Sequence, residues 1–221
     1  MKKYKVSLIL NIIIFILVML GTIFMIAGIR FMENDIVLTT TNIEAFKFFT
    51  VDSNVLMGIC ALIFAYFDYL VLSKKIKEIP NWLYKFKHIA TVGVVLTFIV
   101  TVFYLAPFGG YSFFAFFKNS NLFFHLIVPL LSIITHVFYE KNNKTGKSVV
   151  ALGTITMIIY AVFYVINYIV NYSADKARET YDWYGLMSDS IIGDIISLSI
   201  MIILTCGISY CLWYFNKKSF K

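Results

Sequence analysis

The sequence predicts an all-α integral membrane protein, a polytopic bundle of six transmembrane helices with both termini in the cytoplasm. Its composition is 60% hydrophobic and only 14% charged, with a mean hydropathy of +0.82. So few charges cannot cover the surface of a soluble domain this rich in apolar residues. In addition, several apolar runs reach the roughly 20 residues that a helix needs to cross a bilayer.

Six apolar runs alternate with short polar segments, and each is predicted to be one span. They lie at about 7–29, 47–72, 84–106, 121–139, 148–170 and 191–215. Because no polar linker longer than about 20 residues separates them, residues 1–221 are predicted to form a single domain. The first run is too long for a signal peptide and lacks a clear cleavage site, so we expect it to be an uncleaved helix.

The basic residues orient these spans. Fourteen of the 19 Lys and Arg residues lie in the N-terminus, the 73–87 and 140–147 loops and the C-terminal tail, which predicts that these segments are cytoplasmic. In this scheme Lys87 is counted with the 73–87 loop, where that loop overlaps the start of span three, and His136 lies near the cytoplasmic end of span four. Because the basic residues cluster between spans, no folded basic face is left for nucleic acid. The excess of Lys over Arg is typical of an AT-rich bacterial genome, which predicts a bacterial cytoplasmic membrane.

The outer ends of spans two, four and six carry polar residues at similar depths. In FKFFTVDSNVLMGI, Thr50, Ser53 and Asn54 occupy neighbouring positions at the start of span two. His125 lies early in span four and Asp194 early in span six. Because these three spans run in the same direction, the polar groups are predicted to converge roughly 5 Å below their helix starts.

His125 is the strongest candidate for chemistry, because an ionisable residue inside a span is costly and is a functional candidate by default. A threonine hydroxyl becomes nucleophilic when a base takes its proton, and histidine is suited to that near neutral pH. Thr50 and His125 are therefore a candidate dyad, with Asn54 as a candidate oxyanion donor. The alternative is structural: His125 bonds a neighbouring helix, and Thr50, Ser53 and Asn54 join helices or bond their own carbonyls.

Further polar residues are expected at the same outer level. Asn167 lies on a polar and aromatic face at the end of span five, and Asp194 is expected either to orient His125 or to be solvated. Asp189 is expected to be solvated, while Tyr181, Trp183 and Tyr184 are typical of an interfacial aromatic belt. Together with Ser53 and Asn54, Asn167 and Asp194 are predicted to support a substrate pocket.

Two segments resemble a known family. FFTVDSN (48–54) and FFHLIVPLL (123–131) are similar to the androgen-induced and androgen-dependent membrane hydrolases and their bacterial relatives, which read close to FT-x-x-SN and H-x-x-VP. The resemblance implies a multipass hydrolase in which Thr50 is the nucleophile and His125 its base; animal members cleave fatty acid esters of hydroxy fatty acids. The segment YDWYGLMSD (181–189) resembles the family's later aromatic segment but lacks its usual proline.

The leading hypothesis is therefore an intramembrane hydrolase of fatty-acyl esters, with membrane lipids around it and a lipid ester as substrate. A second hypothesis is a small transporter or lipid-binding protein in which His125 and Asp194 relay protons or bind a headgroup. A third is a structural scaffold. No metalloprotease, nucleophile-elbow or P-loop motif is present, and no metal or cofactor is expected. Cys60, Cys206 and Cys211 lie in apolar runs and are predicted to be small buried residues.

Overall fold

The fold was examined in a computed structural model. It describes residues 1–32, 40–142, 144–172, 181–188 and 190–218. Six long helices dominate these residues, and each is long and apolar enough to cross a membrane. They are Lys2–Ile26 (α1), Phe49–Leu72 (α2), Asn81–Phe108 (α3), Ser120–Tyr139 (α4), Val149–Tyr172 (α5) and Ile191–Lys218 (α6). Two short helical turns, Asn42–Lys47 and Phe113–Phe117, lie in the connections.

The prediction of an all-α, six-helix membrane bundle is confirmed, with helix ends within a few residues of the predicted spans. The largest shift is in α1, which begins at Lys2 because the basic segment MKKYK continues the helix. No strand occurs in the described ranges. Asp189, by contrast, lies outside the described residues.

Helix α3 is the centre of the bundle. In its most apolar stretch of 18 residues, 56% of the residues are buried inside the protein, whereas the corresponding share in α6 is only 11%. Helix α3 packs against α2, α4, α5 and α6. Buried apolar residues line its contacts, with Ala90, Val92 and Val94 fully enclosed. A side chain on α3 is therefore well placed to meet side chains from several other helices.

Three turns in α3 and α4 are wider than an ordinary α-helical turn. In each, a backbone N–H bonds the carbonyl five residues earlier: Ala106 to Thr101, Val128 to Phe123, and Glu140 to Thr135. Prolines at 107 and 129 follow the first two turns directly, and because proline lacks an N–H it disrupts the regular ladder there. These turns contain Thr101, His125 and His136, three of the buried polar residues of the bundle.

Three expectations about burial are wrong. Lys87 was expected in a loop and His136 at the interface, but their exposed fractions are 0% and 4%. Both lie among polar partners inside the bundle, and these partners come mostly from other helices, so the sequence of one span does not reveal them. Of the cysteines, only Cys60 is buried; Cys206 and Cys211 lie on the outward face of α6.

Candidate active site

Thr50 lies in the first turn of α2, just after the extended residue Phe48. Two side chains one turn further on bond its backbone carbonyl: Ser53 Oγ at 3.1 Å and Asn54 Nδ2 at 2.8 Å. Both bonds are made to the backbone carbonyl of Thr50, and neither involves its hydroxyl. The side chain of Thr50 is half-buried, so that it faces the interior without being sealed in it.

His125 lies in the wide turn of α4 and is 2% exposed. Its Nδ1 is 3.2 Å from Thr101 Oγ1 in the wide turn of α3. Thr101 is itself 1% exposed, so this bond is shielded from solvent. The backbone of Phe116, in the connection between α3 and α4, also bonds the His125 ring.

Thr50 and His125 line one small cavity, here called the Thr50 cavity. Its volume is about 30 Å³, and its walls are Met25, Phe48, Thr50, Val51, Leu105, Asn121, His125 and Tyr184. No direct hydrogen bond joins Thr50 to His125 in the part of the chain that the structure describes. The two residues are 75 positions apart in sequence, and the helices bring them to the same wall, as the shared depth of their spans predicts.

Tyr184 is a member of this site that the sequence did not reveal. Its phenol oxygen accepts the Phe49 N–H at 2.9 Å and also bonds the backbone and side chain of Thr50. Burial raises the pKa of Tyr184 to about 12, so the phenol keeps its proton at neutral pH and is a hydrogen-bond donor. Its aromatic neighbours had suggested an interfacial belt, and nothing in the sequence distinguishes it from them.

Asn54 was a candidate oxyanion donor, but its amide N–H groups are already used. Nδ2 donates to the carbonyl of Thr50 and, at 3.3 Å, to that of Phe124 beside His125. Asn54 therefore ties the start of α2 to α4, while its buried Oδ1 has no partner among the described residues. Ser53 likewise bonds the backbone of its own helix and not the Thr50 hydroxyl.

The other two candidate residues lie outside this cavity. Asp194 Oδ1 accepts a hydrogen bond from the Ser188 hydroxyl at 3.0 Å, so the carboxylate organises the start of α6. Asn167 Nδ2 donates to the Tyr181 carbonyl at 3.2 Å and holds the segment before α6. In the described residues neither side chain contacts His125, and the expected role of Asp194 in orienting it finds no contact to support it.

Apolar space continues from the Thr50 cavity. Thr50, Leu105 and Tyr184 also line a second cavity of about 120 Å³, the Leu96 cavity, whose walls include Leu96, Val100 and Met157. Phe49 and Tyr160 separate that space from a groove of about 400 Å³ along α2 and α5, the Phe49 groove. The polar residues thus lie beside spaces in the bundle that are lined mostly by apolar residues.

Fold and site together define an integral membrane six-helix bundle in which a half-buried threonine and a buried histidine line one cavity. The chain matches no protein-family model, and no curated protein or solved structure is significantly similar to it. The resemblance to the androgen-induced hydrolases therefore remains a hypothesis that depends on its two short motifs.

Proposed function

We propose that this protein is an intramembrane hydrolase of fatty-acyl esters, with Thr50 as nucleophile and His125 as base. The observation that carries the proposal is that these two residues, from different helices, line one cavity at the end of an apolar space. An apolar cavity and groove suit an acyl chain, whereas a polar headgroup would find few partners there. The resemblance of the two motifs assigns the same roles to the same residues.

In the proposed reaction, Thr50 Oγ1 attacks the ester carbonyl carbon while His125 takes the hydroxyl proton. The alcohol then leaves with that proton, and the acyl group remains on Thr50 as an ester. His125 next takes a proton from water, whose oxygen attacks the acyl carbon. The bond to Thr50 Oγ1 then breaks, His125 returns the proton to that oxygen, and the fatty acid is released. The phenol of Tyr184, protonated and bonded to Thr50, is the side chain best placed to donate to the oxyanion.

The tautomer of His125 decides how Thr101 takes part. With the hydrogen on Nδ1, the ring donates to Thr101 Oγ1, is held in place by it, and presents Nε2 as the base. This arrangement corresponds to a base oriented by a third group, with Thr101 in the orienting position. It is the tautomer that the reaction through Thr50 requires.

A second candidate is the same reaction with Thr101 as nucleophile. Thr101 is the hydroxyl that His125 bonds directly, and it lines the Leu96 cavity together with Thr50. A backbone carbonyl can only accept a hydrogen bond, so the Phe116 carbonyl needs a ring N–H from His125. If Nε2 carries that hydrogen, Nδ1 has none and can accept the Thr101 proton. In that tautomer Thr101, not Thr50, is activated.

Covalent labelling separates the two. Purified full-length protein is treated with a long-chain fluorophosphonate and hydrolysis of fluorogenic acyl esters is measured, in wild type and in Thr50→Val, Thr101→Val and His125→Gln. Peptide mass mapping then locates the phosphonate. We expect the label on Thr50, and a loss of hydrolysis of about 10²–10⁴-fold in His125→Gln.

Thr97→Val is the matched control, because Thr97 lines the Leu96 cavity but its hydroxyl bonds the Val94 carbonyl of its own helix. It should hydrolyse esters and take the label as wild type does. A label on Thr101 would identify Thr101, instead of Thr50, as the nucleophile. Absence of both labelling and hydrolysis in folded wild-type protein, across short and long acyl chains, would rule the hydrolase out.

A further inference from the structure

A second buried polar region lies at the opposite end of α3 and α4. We call it the Lys87 cluster; it comprises Asn11, Asp68, Lys87, His88, His136, Glu140 and Ser209, all at most 4% exposed. His136 is 11 residues from His125 on α4, or about 16 Å along a helix axis. The cluster is therefore separate from the Thr50 cavity, and the proposed hydrolysis does not use it.

The cluster contains more negative than positive formal charge. Lys87 Nζ is 3.2 Å from Glu140 Oε1, with both side chains at 0% exposure, and Asn11 bonds both of these groups. Asp68, also 0% exposed, interacts electrostatically with both members of this pair. An unbalanced charge is costly in a region without solvent, and the Lys87–Glu140 pair is the part of the cluster in which opposite charges balance.

Hydrogen-bond directions determine where the two histidines carry their protons. Ser209 Oγ donates to the Val150 carbonyl at 2.9 Å, so it accepts from His88 Nε2 at 2.8 Å. A neutral His88 then has a bare Nδ1, which accepts from His136 Nε2 at 3.2 Å. A neutral His136 consequently has its own Nδ1 without a hydrogen.

This bare nitrogen belongs to a set of acceptor atoms that lack a donor. His136 Nδ1 and Glu140 Oε2 are buried and have no hydrogen-bond partner among the described residues. An unpaired buried polar atom costs about 1–3 kcal/mol, so both acceptors favour a donor beside them. A proton added to His136 Nδ1 would give this nitrogen a hydrogen and place a positive charge near Glu140.

A small, partly polar space lies beside His136. A cavity of about 10 Å³, close to the space of one water molecule, is lined by His88, His136 and Glu140 and reaches Asn142 and Thr145 in the connection after α4. Tyr84 and Trp213 form other parts of its wall. The proton acceptor therefore faces a small polar space next to a loop, and not the apolar interior alone.

We propose that the Lys87 cluster is a reversible proton-binding site whose acceptor is His136 Nδ1. A hydronium ion in the cavity gives its proton to Nδ1, an N–H bond forms, and a water molecule remains. The imidazolium keeps its Nε2 hydrogen bond to His88, and the Glu140 carboxylate, which lines the same cavity, stabilises its charge. Release reverses these steps.

Other titratable groups surround the cluster and share its electrostatic field. Those that interact with Asp68, Lys87 or Glu140 are Lys3, Tyr4, Cys60 and Tyr84, and Glu78 in turn interacts with Tyr4 and Tyr84. Lys87 also interacts with His136 and opposes its protonation. Glu140 pairs with Lys87 and lines the cavity beside His136. Removing its charge is therefore the most direct test of how nearby charges affect proton binding by His136.

The test uses full-length protein labelled with ¹⁵N-histidine in lipid nanodiscs. The chain has three histidines, so single substitutions assign every signal. At neutral pH we expect His136 and His88 both as the Nε2–H tautomer. As the pH is lowered from about 8 to about 4, His136 Nδ1 should gain a proton while Nε2 keeps its own.

Glu140→Gln should lower the proton affinity of His136 about ten-fold, because a nearby anion that stabilises the imidazolium is removed. The matched control is His125→Gln, which should leave this titration unchanged because His125 lies in the other site. If Glu140→Gln does not fold, the wild-type tautomers still decide the matter. His136 as the Nδ1–H tautomer, a spectrum constant across the pH range, or signals that depend on Na⁺ at constant pH would each overturn the proposal.

Discussion

The Thr50 cavity and the Lys87 cluster occupy opposite ends of the same two helices, yet they are built differently. The Thr50 cavity joins a few polar side chains to adjoining apolar space, and most of its hydrogen bonds hold backbone. The Lys87 cluster is a dense network of charged and imidazole groups around a cavity of about 10 Å³. The spaces beside the Thr50 cavity are large enough for part of an organic ligand, whereas the cavity of the Lys87 cluster is large enough only for about one water molecule.

The two regions differ in the free energy that it costs to bury their polar groups. At the Thr50 cavity the polar groups are hydroxyls and one imidazole, which stay neutral and are tolerated beside lipid. At the Lys87 cluster the groups are charged, and each depends on its partners to remain buried. Substitutions should therefore affect stability strongly in the cluster and weakly in the cavity, where the main effect should be on chemistry.

The largest stability effect is expected for Lys87→Met. The substitution leaves Glu140 and Asp68 buried without their cation, and breaking a buried ion pair from one side costs about 3–5 kcal/mol. Reversible unfolding in mixed lipid–SDS micelles measures this. Lys85→Met, two residues away on the same helix and half-buried, should stay within about 0.5 kcal/mol of wild type.

The double variant Lys87→Met, Glu140→Gln sharpens this prediction. Removing the carboxylate charge as well should recover part of the lost stability, since the remaining cost is that of lost hydrogen bonds rather than of an unpaired ion. A double variant as unstable as the sum of its single variants would show that Lys87 and Glu140 do not act as a pair.

A smaller effect is expected for Tyr184→Phe, which removes the acceptor of the Phe49 N–H and should cost about 1 kcal/mol. The effect should depend on pH. Since the pKa of Tyr184 is raised to about 12 from an ordinary value of about 10, its protonated form stabilises the fold fully below about pH 10. This contribution is lost as the pH rises through about 12.

Unfolding curves of Tyr184→Phe and wild type, recorded from neutral pH to about pH 12, should therefore approach each other as the pH rises above about 10 and then cross. Wild-type stability should fall more steeply there than that of the variant. Parallel curves would contradict the assignment of a buried, protonated phenol at the start of α2.

The smallest stability effect is expected for Thr50→Val, at most about 0.5–1 kcal/mol, because the hydroxyl contributes little to the packing. Unfolding in the same micelles measures it. Combined with the loss of labelling proposed above, a stable but inactive Thr50→Val would separate chemistry from folding. A loss of stability as large as that of Lys87→Met would instead make Thr50 a structural residue and remove the contrast between the two regions.

Sequence patterns predicted the parts of the site that depend on depth. Thr50 and His125 share a cavity because both lie near the same ends of spans that run in the same direction. The sequence missed Thr101 and Tyr184, because a threonine late in an apolar span and one tyrosine among several carry no distinguishing pattern. Asp194 was placed at a plausible depth, but depth does not determine which way a helix is rotated, and its carboxylate bonds Ser188.

The Lys87 cluster was missed for a related reason. Lys87 and Glu140 lie at the ends of their spans, where charged residues are usually solvated and report only orientation. They are buried because α1, α2 and α4 bring their partners Asn11, Asp68 and His136 around them. A pattern along one chain segment contains no information about partners on other helices, such as Asn11, which lies 129 residues from Glu140.

By itself the sequence determined that this chain is a six-helix membrane protein, because the length and polarity of a span are local properties set by the thickness of the bilayer. It also predicted that Thr50 and His125 lie near the same ends of their spans. Only the tertiary structure decided which polar groups meet, because helix rotation and packing select one face of each helix. That selection places Thr101 beside His125 and Tyr184 beside Thr50, and it encloses Lys87 and Glu140 with two histidines at the other end.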